Sequence, residues 1–219
     1  MKSRLLYVVL LLPVVFPTFA SSHTQPEFNV AGLTVSIFND AEVPPSVLAE
    51  AESRASFVLR RARLDVSWMD CGFPGNRVSG PGCNSIAFPQ HLSLRLVSTH
   101  GGLTQDTFGQ AYQNAAGEGA YVVVYFGILS ASKVATTMHS GDLLGLVIAH
   151  ELGHLLLGLQ SHSATGLMSP VWQADEIHQA ARGNLFFTDA QQGRIRSRYF
   201  ATVARLNSAT APSSSSSGK

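Results

Sequence analysis

Between residues 33 and 38 the chain alternates, with Leu33, Val35 and Ile37 against Thr34 and Ser36, and Phe38 closing the run. A period of two is that of a strand with one buried face. Asn39-Asp40 ends it. Over residues 46–63 the period lengthens to that of a helix: Val47, Ala51, Ala55, Val58 and Ala62 gather near one face, while Glu50, Glu52, Arg54, Arg60 and Arg61 fall mostly elsewhere. Pro44-Pro45 precedes it, where proline does not interrupt the helical hydrogen bonds. Residues 66–69 and 92–97 read as two further strands, and residues 108–112 as a short edge strand weakened by Gly109. The unbroken apolar run Tyr-Val-Val-Val-Tyr-Phe at 121–126 predicts a central strand covered on both faces. Residues 143–157 form a longer apolar run, a helix that Ser140 or Asp142 can cap. A last helix starts at Thr188 and runs through Gln191, Ile195 and Tyr199, with Thr188 and Gln191 at capping-box spacing. Strand, helix, three or four strands and then helices predict an α+β fold.

The apolar helix carries the chemistry. His150 and His154 are four residues apart, which on a helix places both imidazoles on one face, a turn apart. Two imidazoles so placed can reach one ion. Glu151 follows His150 by one residue, roughly 100° round the axis, so it projects beside the ion and can act on a water without being a ligand. Zinc (Zn2+) is the default metal for neutral imidazoles, and a catalytic zinc site has three protein ligands with one position open. His162 is the leading third ligand. On a continuous helix it would lie roughly 12 Å beyond His154, so the helix must stop, and Gly158 is the residue that can end it and reverse the chain. His139, His178, Glu176 and Asp189 are the competing third ligands, whereas His23, His91 and His100 have no ligand context and read as surface residues.

Six residues beyond His162 stands Met168, in Gly166-Leu167-Met168-Ser169-Pro170. Over residues 142–172 the chain resembles the metzincin metallopeptidases, most closely the matrixin-like branch. That family joins His-Glu-x-x-His to a glycine turn, a third histidine and a methionine turn. The resemblance implies a zincin-like fold: a twisted mixed sheet of four or five strands packed on an N-terminal helix and the zinc-binding helix, with a C-terminal helix. It also implies zinc ligation by His150, His154 and His162, an apolar floor from Met168, and substrate backbone added to an edge strand, for which residues 108–112 are the candidate. An edge strand with no binding role is the ordinary alternative. One departure stands out. Glycine and third histidine each follow at an interval of four, one residue more than the usual metzincin spacing, so a longer return from Gly158 must compensate for a longer helix.

The activity so implied is that of a zinc-dependent metalloendopeptidase, in which Glu151 takes the proton of a zinc-polarised water that attacks a peptide carbonyl. Two other readings stay open: a zinc-binding protein of the same fold that cleaves nothing, and a zinc amidohydrolase acting on a non-peptide amide.

Composition adds the setting. The chain has 219 residues, 45% hydrophobic and 13% charged, with formal net charge +1, which suits one domain and offers no electrostatic case for nucleic acid or anionic membranes. Lys2 and Arg4 precede an apolar stretch over residues 5–16, and Thr18-Phe19-Ala20 has small residues at cleavage positions. Residues 1–20 therefore read as a secretory signal, too short and too interrupted by Pro13 and Pro17 to span a bilayer. Residues 28–205 form the catalytic domain and 206–219 a disordered Ser-rich tail. A secreted monomer acting on a peptide or protein substrate is the expectation. In an oxidising compartment Cys71 and Cys83 pair with each other. The sharper alternative is that Cys71-Gly72-Phe73-Pro74 is a fragment of the matrixin cysteine switch.

Overall fold

The structure is a computed structural model that describes residues 30–72, 82–99 and 107–210. Five strands, β1 (Ala31–Asn39), β2 (Leu64–Asp70), β3 (His91–Val97), β4 (Gly109–Tyr112) and β5 (Tyr121–Tyr125), form one sheet in the order β2-β1-β3-β5-β4. The first four positions run parallel and β4 runs antiparallel to β5 at the edge. With helix α1 (Pro45–Arg61) crossing between β1 and β2, this is the α+β architecture with the mixed sheet that the resemblance implied.

The helices cover one face of the sheet. Leu33, Val35 and Ile37 of β1, Leu92, Leu94 and Leu96 of β3, and Val122 and Val124 of β5 are all buried, as their period of two requires. Against them lies α3 (Ser140–Leu157), buried on nearly every side. Its length and hydropathy would suit a membrane span, yet it forms the centre of the core. Helix α1 turns Ala51, Ala55, Val58 and Leu59 towards it, and small residues set the approach: a Cβ on Gly145 would lie 2.5 Å from the carbonyl oxygen of Ala51. Helix α5 (Asp189–Thr210) docks through Ile195 and Tyr199, whose hydroxyl donates to the Gly32 carbonyl. The capping box at its start is present, with Thr188 N–H donating to Gln191 Oε1 and Gln191 N–H donating to Thr188 Oγ1.

Several expectations need correction. β5 is covered on both faces only in part: on the face that Tyr121, Val123 and Tyr125 share, Tyr125 is buried, Val123 is half-buried and Tyr121 is 56% exposed. Neither Ser140 nor Asp142 caps α3; both lie inside its first turn and His139 is the N-cap residue, without a side-chain bond. Asp142 still places its charge favourably at the helix start. Residues 206–210, expected in a disordered tail, continue α5. His91, read as a surface residue, is half-buried and within 2.8 Å of Ser36 Oγ. Three short elements were not anticipated: α2 (Phe126–Ala131), a 3-10 turn (Lys133–Thr136) and α4 (Ala174–Ala181), none long enough to show a periodic pattern. Cys71 and Cys83 are disulfide-bonded and buried, so Cys71 has no thiolate to serve as a switch. The signal segment 1–20 and the tail from 211 onward lie outside the described residues.

Candidate metal centre

Helix α3 presents His150, Glu151 and His154 at one end of the sheet. The two imidazoles stand a turn apart, with their Nε2 atoms 3.2 Å from each other. His150 Nδ1 lies 2.7 Å from the Leu167 carbonyl oxygen. A carbonyl only accepts, so Nδ1 carries the proton and Nε2 the lone pair. His154 Nδ1 lies 2.5 Å from Ser161 Oγ, which can accept in the same way and leave the second Nε2 bare. Two lone pairs aimed at one another so closely repel unless a cation or a proton lies between them. Their separation matches a metal: two nitrogens about 2.0–2.1 Å from a tetrahedral zinc are about 3.3 Å apart.

The return to His162 shows how the lengthened spacing works. The extra helical residue carries α3 to Leu157, and Gly158 ends it at φ 77°, its N–H donating to the His154 carbonyl. Glycine is needed there twice over, since a Cβ would also lie 2.6 Å from Arg198 Nη1. The second extra residue is absorbed by Gln160, again at positive φ (54°). Two left-handed residues in three turn the chain back on itself. They bring the His162 ring to 4.7 Å from that of His154 and 5.7 Å from that of His150, between centroids. One ligand atom from each of His150, His154 and His162 lies within 4.8 Å of the other two, so the three could hold a metal ion. Among the described residues His139, His178, Glu176 and Asp189 do not join this cluster. Glu176 instead closes the capping box of α4 with Gln173.

Met168 is fully buried against the turn of α3 that lies between the two histidines. A Cβ on Gly153 would lie 2.7 Å from Met168 Sδ and the same distance from the Phe187 ring, so the glycine between the two histidines is what admits this floor. Gly109 does the same for Glu151: a Cβ there would meet the Glu151 side chain at 2.6 Å. The residue that weakened the β4 pattern is the one that makes room for the carboxyl.

Electrostatics follows burial. Glu151 is 6% exposed, and burial pushes its pKa up to about 8. Burial pushes His150 down to about 4, against a weaker upward pull from the Leu167 bond. Burial, and then the charges of His150 and His162, push His154 down to about 3. Neutral imidazoles at neutral pH are what metal ligation needs. In front of the cluster opens a cleft of about 600 Å³. Phe108, Val134, Val147, Val171 and Trp172 form apolar walls, and among its described lining residues Glu151 is the one acidic side chain and no lysine or arginine occurs.

Sequence reasoning missed the residues that hold this arrangement. Ser161 takes up His154 Nδ1, Gln113 Nε2 donates to the His154 carbonyl, and Trp172 Nε1 donates to the same Leu167 oxygen that His150 uses. Ser161 and Trp172 stand near His162 and Met168 in the sequence, and that nearness is the one signal they offer. Gln113 carries no signal in the sequence.

The class these observations define is an α+β fold whose core helix brings two histidines and a buried carboxyl, and whose return segment brings a third histidine, to one cleft. No family model matches the chain, and no curated protein does. Among solved structures it is similar to an archaemetzincin from Methanopyrus kandleri, at 18% identity and TM-score 0.46, over 76% of this chain and 95% of that one. It is also similar to metalloproteinase-II from Bacteroides fragilis, at 11% identity and TM-score 0.49, over 77% of this chain and 53% of that one. The chain thus spans about half the length of the second. Both likenesses are distant.

Proposed function

We propose that the protein is a secreted zinc-dependent metalloendopeptidase, with His150, His154 and His162 as zinc ligands and Glu151 as general base. The observation that carries this reading is the convergence of the three histidines, two of them with Nδ1 engaged and Nε2 free, beside a carboxyl held in the same cleft. Zinc bound by them would polarise a carbonyl oxygen and acidify a water.

The chain's own residues supply the rest. Glu151 is buried where water is scarce, so its carboxylate, once favoured by a nearby dication, is a strong enough base to take a proton from the attacking water. The same oxygen then returns that proton to the leaving amide nitrogen. β4 is at the edge of the sheet and borders the cleft, and among the described residues it pairs with β5 alone, so its outer edge can hold an extended peptide as a further strand. Apolar walls exclude water from the scissile bond and suit neutral side chains. Met168 touches no substrate; it supports the histidines from below. The buried disulfide fits an oxidising, extracellular setting.

Hydrolysis of casein by the purified protein, with and without chelator, tests the reading. Chelator-sensitive cleavage, absent in Glu151→Gln with zinc retained, is expected. Zinc binding without cleavage of casein or peptides would overturn it in favour of a non-proteolytic zinc protein, and cleavage of small amides alone would favour an amidohydrolase.

A further inference from the structure

His162 is the outermost of the three histidines and its ring is exposed, so its place is set by the backbone on either side. Both sides are held by one residue from another element. Gln191, in the first turn of α5 and 9% exposed, donates from Nε2 to the Ser161 carbonyl at 3.2 Å and to Ser163 Oγ at 3.0 Å. Ser163 in turn donates its hydroxyl to the Thr165 carbonyl and its N–H to the Met168 carbonyl. Ser161 bonds His154 through its own hydroxyl. The orientation of the Gln191 amide is not arbitrary: the Ser161 carbonyl can only accept, and the Thr188 N–H that faces Oε1 can only donate.

We propose that Gln191 is a positioning residue of the metal centre: by holding residues 161 and 163 it fixes where His162 stands relative to His150 and His154. This rests on the reading of the three histidines as metal ligands. The amide divides its work. Oε1 caps α5, while Nε2 brackets His162, so helix capping and ligand placement are separable by mutation. The need for such a bracket follows from the long return. A ligand on a segment with more residues has more conformations to lose on binding, and a tie to a rigid helix removes them beforehand.

The test is zinc affinity of the full mature chain, measured by competition with a chromophoric chelator, in a double-mutant cycle. Gln191→Met keeps the side-chain volume and removes the Nε2 donors together with the Oε1 acceptor of Thr188 N–H, whereas Gln191→Glu removes the donors and keeps an oxygen for the cap. Both should give the same loss, weakening zinc binding about 10- to 100-fold, the usual cost of losing an outer partner of a ligand. In a His162→Ala background the same change should cost less than about 2-fold, because the residue it acts through is gone. Thr188→Ala, which removes only a capping partner, should leave affinity within about 2-fold of wild type. Ser163→Ala, a smaller lesion, reports on the same arm if Gln191→Met fails to fold, and its effect should also vanish without His162. Unchanged affinity in Gln191→Met, or an equal loss in both backgrounds, overturns the positioning role while leaving the ligand set intact. Wild-type affinity in His162→Ala alone overturns the ligand set and this proposal with it.

Discussion

Glu151 and its two histidine neighbours are displaced by burial in opposite senses, and this governs how the metal-free chain responds to pH. His150 and His154 fall from 6.5 to about 4 and about 3, so below pH 6.5 the unfolded chain binds more protons than the folded one. The histidine contribution to the stability of the metal-stripped protein is therefore whole above pH 6.5 and is lost as the pH drops through 4 towards 3. Glu151 rises from 4.5 to about 8 and acts the other way: its contribution is whole below pH 4.5 and is lost as the pH rises to 8. Thermal melts of metal-stripped wild type and Glu151→Gln should show a gap in favour of the variant that widens between pH 4.5 and 8. A gap independent of pH would contradict the burial of that carboxyl. With metal bound, Glu151→Gln should lose about 10²- to 10⁴-fold in hydrolysis at unchanged zinc content. Gly109→Ala offers a finer probe, since the three atoms nearest to its methyl group all belong to Glu151. About a 10²-fold loss of turnover with full zinc is expected, the cost of moving a catalytic group by roughly an ångström.

At the scale of elements, the helix end decides the site. Gly158 adopts φ 77° and ψ −161°, a backbone region open almost only to glycine, with Arg198 against its Cα. Gly158→Ala should cost about 1–3 kcal/mol or more and lower the melting temperature, with weaker zinc binding as His162 is displaced. A melting temperature and affinity equal to wild type would mean that the return to His162 does not depend on this turn. The elements that were legible in the sequence are those with a periodic reason to exist: the alternation of β1 and β3, the apolar face of α1 and the continuous apolar run of α3. His150, Glu151 and His154 were legible because a helix fixes what spacing means. His162 was legible as a candidate, but its route was not, because it depends on a left-handed Gln160 that no pattern marks. α2 and α4 are too short to have a period, and the capping box of α4 uses Gln173 where serine or threonine would be the signal. The exposure of Tyr121 in β5 went unseen because an apolar run looks the same whether one face or two are covered.

Taken whole, the molecule places its apolar helix at the centre of the core and its chemistry at that helix's C-terminal end, where α5 and the edge strand β4 meet it. Stability and site thus share one element. Packing around α3 explains why a helix with the composition of a membrane span carries a water-facing cleft. The disulfide ties the end of β2 to the segment that leads into β3, and both sulfurs are buried. Thiol titration of the denatured, unreduced mature protein should therefore find no free thiol. Replacing both cysteines by serine should cost about 2–4 kcal/mol while leaving zinc binding within a few-fold, since the bond lies outside the cleft lining. The most direct test of the metal centre itself is zinc X-ray absorption on purified wild type and His162→Ala. One zinc per chain with three imidazoles at about 2.0–2.1 Å in wild type, and two in the variant, is the predicted result. A wild-type chain that takes up no zinc, or the same imidazole count in both proteins, would contradict the three-histidine site.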